Sequence, residues 1–223
     1  MGYKILEKQY KRVIKMNILA IGAHFDDLEL GCGGSLLLWK SQGHHITIFI
    51  ASKSGYTDSK GNIIRSNEIA FNEGQHAAEY IGANLIVGDI PTFDVAFSEP
   101  LNCKLIDISN TFKPDLVLTH WNGDVHHDHK SLSLATMHCF RHTQKLLMYC
   151  TNWYESNQRF DPRFFVDISD TFDSKLKLIE IYQSENNRTG GKWIDFIKAQ
   201  SILFGLKTGV QYAEGFEIVK WVY

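Results

Sequence analysis

Short β-branched or wholly apolar runs alternate along this chain with longer stretches of helical pattern, and few folds accept that order. Lys15 to His24 reads as an apolar strand ending in small residues, followed by an apolar-rich helix from Asp27 to Gln42 that Gly43 closes. His45 to Ala51 is the next strand, Ser66 to Ile81 a helix stopped by Gly82, and Asn84 to Val87 a third strand. Leu101 to Thr111 supplies another helix, Lys113-Pro114 breaks it, and Asp115 to His120 is apolar in the manner of a strand buried on both faces. Leu146 to Thr151, Phe164 to Ile168, a helix from Asp173 to Tyr182 and a last strand near Phe216 to Val222 continue the series. Strands joined by crossover helices make a mostly parallel sheet covered on both sides, so the expected fold is α/β, Rossmann-like and three-layered. No linker, repeat or low-complexity segment interrupts the pattern. The expected organisation is a basic leader over residues 1–15 and a single domain over residues 16–223.

Composition narrows the function classes. With 44% hydrophobic residues in 223, the chain can bury a core without covalent staples. Cys32, Cys103, Cys139 and Cys150 form no C-x-x-C pair, so they read as small buried hydrophobes in a reducing compartment, and the expected location is cytoplasmic. A formal charge of −2 leaves no basic field for nucleic acid. The longest apolar runs fall far short of the ~20 residues that span a bilayer, so no transmembrane segment is expected. Lys4, Lys8, Lys11, Arg12 and Lys15 are followed by no apolar stretch of the secretory kind.

Ligands in parallel sheets lie at the carboxyl ends of strands, and two strand ends here are chemically loaded. The first runs into His24-Phe25-Asp26-Asp27 and the Asp115 to Thr119 strand runs toward His126-His127-Asp128-His129. A metal of borderline hardness takes neutral imidazole and carboxylate oxygen, and three protein ligands leave a position for water. His24 and Asp27 with one histidine of the second segment would form such a set, and Asp26 is then the natural base. His126 would stabilise an oxyanion or protonate a leaving nitrogen, with Asp128 as its carboxylate partner. Each cluster has a plain alternative: Asp-Asp after a strand commonly caps a helix, and histidine-rich loops are commonly solvated surface. Gly31-Cys32-Gly33-Gly34 lacks the order of a dinucleotide fingerprint and reads as a close approach of helix to sheet.

Ala23-His24-Phe25-Asp26-Asp27-Leu28-Glu29-Leu30-Gly31-Cys32-Gly33-Gly34 resembles the A-H-P-D-D-x-E-x-G-x-G-G signature of the LmbE-like (PIG-L) family of zinc-dependent N-deacetylases. His126-His127-Asp128-His129 resembles that family's H-x-D-H motif, Arg65-Ser66-Asn67-Glu68 its R-x-x-E, and Lys113-Pro114-Asp115-Leu116-Val117 its K-P-D-x-V strand. Phe165 to Ser169 and Tyr212 to Phe216 resemble two further family segments. Together these cover nearly the whole chain after residue 15. The resemblance implies one Zn²⁺ per chain held by His24, Asp27 and His129, with Asp26 as general base, His126 as oxyanion stabiliser or general acid, and Asp128 as its partner. It also implies Arg65 as a substrate-binding residue, a fork that could hold sugar hydroxyls or phosphate.

The implied reaction is removal of acetyl from a small-molecule N-acetylated amino sugar or sugar conjugate, free or linked to a nucleotide or lipid. An amidase on a thiol-conjugated sugar and a degenerate sugar- or nucleotide-binding protein are the alternatives. Homo-oligomers are common in the family. Phe25 departs from the family by replacing Pro, which restores an N–H and backbone freedom to the ligand loop. Trp121 and Asn122 are expected along the approach to the second motif, and Ser184 to Gly191 as a surface loop or mobile lid.

Overall fold

A computed structural model describes residues 15–223, so apart from Lys15 the leader lies outside the described residues. Strands β1 (Asn17–Gly22), β2 (His45–Ser52), β5 (Asn84–Ile90), β6 (Leu116–His120) and β7 (Lys145–Tyr149) run parallel in the central sheet. Two more strands, β8 (Phe164–Asp167) and β9 (Ala213–Trp221), extend it in the order β5-β2-β1-β6-β7-β9-β8, with β9 antiparallel to both neighbours. The small strands β3 (Tyr56–Thr57) and β4 (Ile63–Arg65) form a separate hairpin. Helices α1 (Asp27–Ser41), α2 (Asn67–Ile81), α3 (Glu99–Phe112), α4 (His127–Cys139), α5 (Phe172–Glu180), α6 (Gln183–Thr189) and α7 (Lys192–Thr208) complete the chain. The expected α/β, mostly parallel, layered fold is the one observed.

Alternate residues of β1 enter opposite cores, as the two-residue period of a strand requires. Ile18 and Ala20 face a cluster with Leu28, Leu36, Ala77 and Leu178, and Leu19 and Ile21 face another with Leu105, Leu132 and Phe140. Each large aliphatic side chain removed from water here contributes on the order of 1.5–3 kcal/mol. The chain leaves β1 toward β2 on one side, while β6 lies on the other. The carboxyl ends of β1 and β6 therefore flank the point where the strand order reverses, where a crevice opens in such sheets.

Helix α1 meets the sheet through its glycines. A Cβ on Gly31 would stand 2.2 Å from the Tyr149 ring, whose hydroxyl donates to the Ile21 carbonyl at 2.7 Å. Midway along α1 a buried ion pair is inserted. Glu214 accepts from the backbone N–H groups of Gly34 and Ser35 at 2.9 and 2.7 Å, while Lys175 Nζ donates to the Leu30 carbonyl at 2.8 Å and to Glu214 at 2.5 Å. The Leu30 carbonyl and the Gly34 N–H are i, i+4 positions of the continuous helix α1, so the pair meets the backbone within one turn. This accounts physically for the Tyr212 to Phe216 segment: its acid buttresses the glycine-rich helix that follows the first site loop.

Three expectations change. The Ser184 to Gly191 segment is mostly the helix α6, with Glu185 buried, because its polar side chains are tied down by neighbours that the local pattern does not show. Helix α7 lies beyond the elements expected. Trp121 is buried against Phe160 and does not line the site cavity, because its chain turns inward after β6. Among the described residues no helix is long and apolar enough to cross a membrane.

Candidate active site

The loop after β1 is bent sharply. Asp26 takes the N-cap position of α1 with φ 114°, a left-handed conformation rare outside glycine, and its carboxylate makes no capping bond. The plain reading of Asp26 as a helix cap is thus not met, and strain of about 1–3 kcal/mol is held at this residue. Arg65 and Phe25 hold the bend. The Arg65 Nη1 donates to the Phe25 carbonyl at 3.1 Å and to Asp26 Oδ2 at 3.3 Å, while Nη2 donates to Glu73 Oε2 at 2.9 Å. Glu73 in turn accepts from the N–H and hydroxyl of Ser184. Phe25 uses the N–H that proline lacks to donate to Ser54 Oγ at 2.9 Å, and its ring is buried against α2 where Gly74 has no side chain. A Cβ on Gly74 would lie 1.9 Å from that ring.

Ligand-type atoms of three residues converge beside this bend. His24 Nδ1 lies 3.3 Å from Asp27 Oδ2 and 3.2 Å from His129 Nε2, and His129 Nε2 lies 3.2 Å from Asp27 Oδ1. Ligands bound at the ~2.0–2.2 Å typical of zinc in tetrahedral array stand about 3.3 Å apart, so this donor set fits such an ion. The remaining nitrogen of each histidine is held by a carboxylate, His24 Nε2 by Asp128 at 2.8 Å and His129 Nδ1 by Asp124 at 2.9 Å, the usual backing of metal-binding imidazoles. Two other overlapping groups of donors are close enough to hold an ion: His24 with His126 and His129, and Asp27 with His120 and His129. His120 fits less well as a ligand, since its Nε2 already accepts the Ala23 N–H at 3.0 Å. It stacks face to face on His129 at 3.9 Å.

The expected pairing of Asp128 with His126 is not what the geometry shows. The Asp128 carboxylate takes His24 and the backbone N–H groups of Phe93 and Val95, and only its own N–H meets His126, donating to Nδ1 at 3.2 Å. The reason is the helix: His126 and Asp128 are two residues apart at the start of α4, so their side chains leave in different directions. A neutral His126 therefore carries its proton on Nε2.

Electrostatics follow from burial and crowding. Burial alone would pull His24 and His129 down, but Asp27, with Asp128 for His24 and Asp124 for His129, reverses this and raises them to about 9 and about 10. Asp27 is held well below the carboxylate range, because His129, His120 and His24 outweigh its burial. Burial, with Asp27 and Glu185 adding and Arg65 opposing, pushes Asp26 well above it. Burial and the neighbouring His129 and His24 lower His126 to about 4, which keeps it neutral.

Above these groups lies a cavity of about 240 Å³ whose wall includes Tyr56, Phe93, Tyr154 and Trp193. Glu185 accepts the Tyr56 hydroxyl at 2.7 Å and the Arg188 Nε at 2.7 Å. Asp124 was not among the expected residues, nor was Asn152, whose amide donates to both Asp124 oxygens. The one signal for Asp124 was its place two residues before the second motif. Asn152 carried none.

A reversing parallel sheet with an imidazole–carboxylate cluster of metal-ligand spacing at the reversal defines a layered α/β protein with a candidate divalent-ion site. The chain belongs to the PIG-L family: residues 19–140 match the profile described as PIG-L, GlcNAc-PI de-N-acetylase. Diacetylchitobiose deacetylase of Thermococcus kodakarensis is 20% identical over 228 residues, covering 92% of this chain and 84% of its own length. Among solved structures, the conserved protein TT1542 from Thermus thermophilus superposes with a TM-score of 0.78 at 26% identity, covering 93% of this chain and 96% of that one. The N,N'-diacetylchitobiose deacetylase of Pyrococcus horikoshii also gives 0.78, at 21% identity over 91% of this chain and 83% of that one.

Proposed function

We propose that this protein is a zinc-dependent, cytoplasmic hydrolase that removes acetyl from an N-acetylated amino sugar or sugar conjugate, with one ion per chain. The observation that carries the reading is the convergence of His24, Asp27 and His129 beside a carboxylate, Asp26, that is spared from helix capping. Membership of a de-N-acetylase family and relatives named for diacetylchitobiose support acetyl as the group removed. The free cysteines support a reducing compartment.

A zinc ion at these three residues would supply a water of lowered pKa and polarise the amide carbonyl. Asp26, fixed by Arg65, accepts the proton of the attacking water and returns it to the departing amine. His126 donates from Nε2 to the oxygen that gains charge. Its neutral state favours this role over that of general acid. Asp128 and Asp124 orient the two histidines. Arg65, expected to bind substrate, is read here as a positioning residue for Asp26: it lines the cavity, but it is 2% exposed and both Nη atoms are engaged within the protein.

Acetate release from N-acetyl sugars with zinc supplied tests the reaction, with metal content measured in parallel. Asp26→Ala is expected to keep the metal and lose ~10²–10⁴-fold in turnover, whereas His129→Ala loses the metal itself. Equal activity in the two variants and the parent would sink the proposal.

A further inference from the structure

The rim of the molecule opposite the catalytic cavity collects cations from segments far apart in the chain. It is the rim where the parallel strands begin and β9 ends, since Asn17 pairs with His45 and Lys145 with Trp221. Lys15 lies beside Gly43 and Lys40 beside Gly82, in the turns that lead into β2 and β5. Lys113 precedes β6, Arg141 precedes β7, and Lys220 donates to the Arg141 carbonyl. Lys145 stands 5.3 Å from the centre of the Trp221 ring and 3.9 Å from the sulfur of Met16. Among the described residues none of these cations is paired with an acid. Two acids near them are engaged elsewhere: Asp115 accepts the Asn17 N–H and Glu79 accepts from Gln75. The helix macrodipole accounts for Lys40 in the last turn of α1, but Lys145 and Lys220 stand on strands. The same rim leaves Val219, Trp221, Val222 and Tyr223 exposed.

The leader joins β1 at this rim, and residues 1–14 of it lie outside the described residues. In its sequence Tyr3, Leu6, Tyr10 and Val13 recur with the spacing of one helical face, and Lys4, Lys8, Lys11 and Lys15 with that of the opposite face. We infer that the rim and the leader together dock on an anionic lipid bilayer. The leader's apolar stripe enters the boundary between headgroups and acyl chains, and the cations of the rim face the headgroups. Basic amphipathic segments hold such surfaces through buried apolar area and charge combined. A second copy of this chain is a poor occupant, because a two-fold contact through the rim sets cation against cation. Nucleic acid would meet the cations but leave Val219, Val222, Leu6 and Val13 without a role. The site loops lie at the other ends of the strands, about 20 Å away across the six residues of β1. The docked protein therefore turns its catalytic cavity to the water, and docking is independent of the reaction run there.

Sedimentation of the full chain with vesicles of equal parts phosphatidylcholine and phosphatidylglycerol tests this, beside vesicles of phosphatidylcholine alone. The mixed vesicles are expected to bind at least about tenfold more tightly, and the difference should shrink as salt rises to about 0.5 M. Lys40→Gln, Lys113→Gln and Arg141→Gln combined should weaken binding to mixed vesicles about tenfold or more. Lys53→Gln, Lys60→Gln and Lys192→Gln, the same loss of charge on the cavity side, should change it less than about twofold. All six side chains are exposed, so the melts of both variants should match the parent. Leu6→Ser with Tyr10→Ser keeps every charge and should cost about tenfold through the lost apolar burial. Equal weakening by the two triple variants overturns the inference, as does undiminished binding by the Leu6→Ser, Tyr10→Ser variant. No sedimentation with mixed vesicles at low salt overturns it too, and tighter binding to polyuridine RNA than to those vesicles would assign the rim to nucleic acid instead.

Discussion

Arg65 illustrates how one buried side chain can hold a backbone bend and an acid together. Its Nη1 bridges the carbonyl before the strained residue and the carboxylate of that residue, so it fixes both the backbone bend and the aim of Asp26. Arg65→Lys keeps the charge but not the fork, and turnover is expected to fall ~10–100-fold with KM within about twofold of the parent. A rise in KM at unchanged kcat would instead mark Arg65 as a substrate contact. Asp124 offers a second residue-level check. Asp124→Ala leaves His129 Nδ1 unsupported and should weaken zinc binding ~10–100-fold, read by competition with a chelating dye. Neither role was legible in the sequence, because a hydrogen-bond partner is chosen by three-dimensional approach. Arg65 meets Asp26 across 39 positions, and Asp124, though only 5 positions from His129, is distinguished from other loop acids by its approach to that ring.

At the scale of elements, the departure at Phe25 is absorbed by two others. Helix α2 presents Gly74 to the ring, and the segment after β2 presents Ser54, itself at φ 61°, to the restored N–H. Gly74→Ala should destabilise the protein by about 1–3 kcal/mol through overpacking. Combined with Phe25→Ala, which by itself leaves a void, the two losses should be less than additive in denaturant melts. Simple additivity would mean that ring and glycine are not a coupled pair. The inserted pair at α1 is the other element-level device. Glu214→Gln leaves Lys175 buried without its counter-charge, and a loss of about 3–5 kcal/mol is expected from the same melts. Alternation in the sequence announced these helices and strands, but it could not announce α6. A short polar helix has no apolar stripe, and its order comes from Tyr56 and Glu73, which hold its side chains from other parts of the fold.

For the whole molecule, the clustered imidazoles link stability to pH and to metal. In the metal-free protein the folded pKa values of His24 and His129, about 9 and about 10, stand above the ordinary 6.5. Their stabilising contribution is therefore fully present below about pH 6.5 and is lost as pH rises through 9 to 10. Thermal melts with a chelator should fall by several degrees across that window. Zinc requires the neutral imidazoles, so the rise in Tm on adding it should be larger at pH 9 than at pH 6. A metal-free Tm that is flat from pH 6.5 to 10 would contradict the protonated cluster.

The sequence by itself determined the layered α/β fold, since alternating apolar strands and crossover helices can bury their surfaces in few other ways. It also determined the two loaded strand ends, since acids and imidazoles placed beside buried strands are costly without a partner. Only the tertiary structure decided that β1 and β6 are neighbours at the reversal of the sheet. It also decided that the Asp128 carboxylate bonds His24 and not His126, and that Arg65 bonds Asp26. Those outcomes depend on distances between residues far apart in the chain, which are set by the packing of whole elements and leave no local pattern to read.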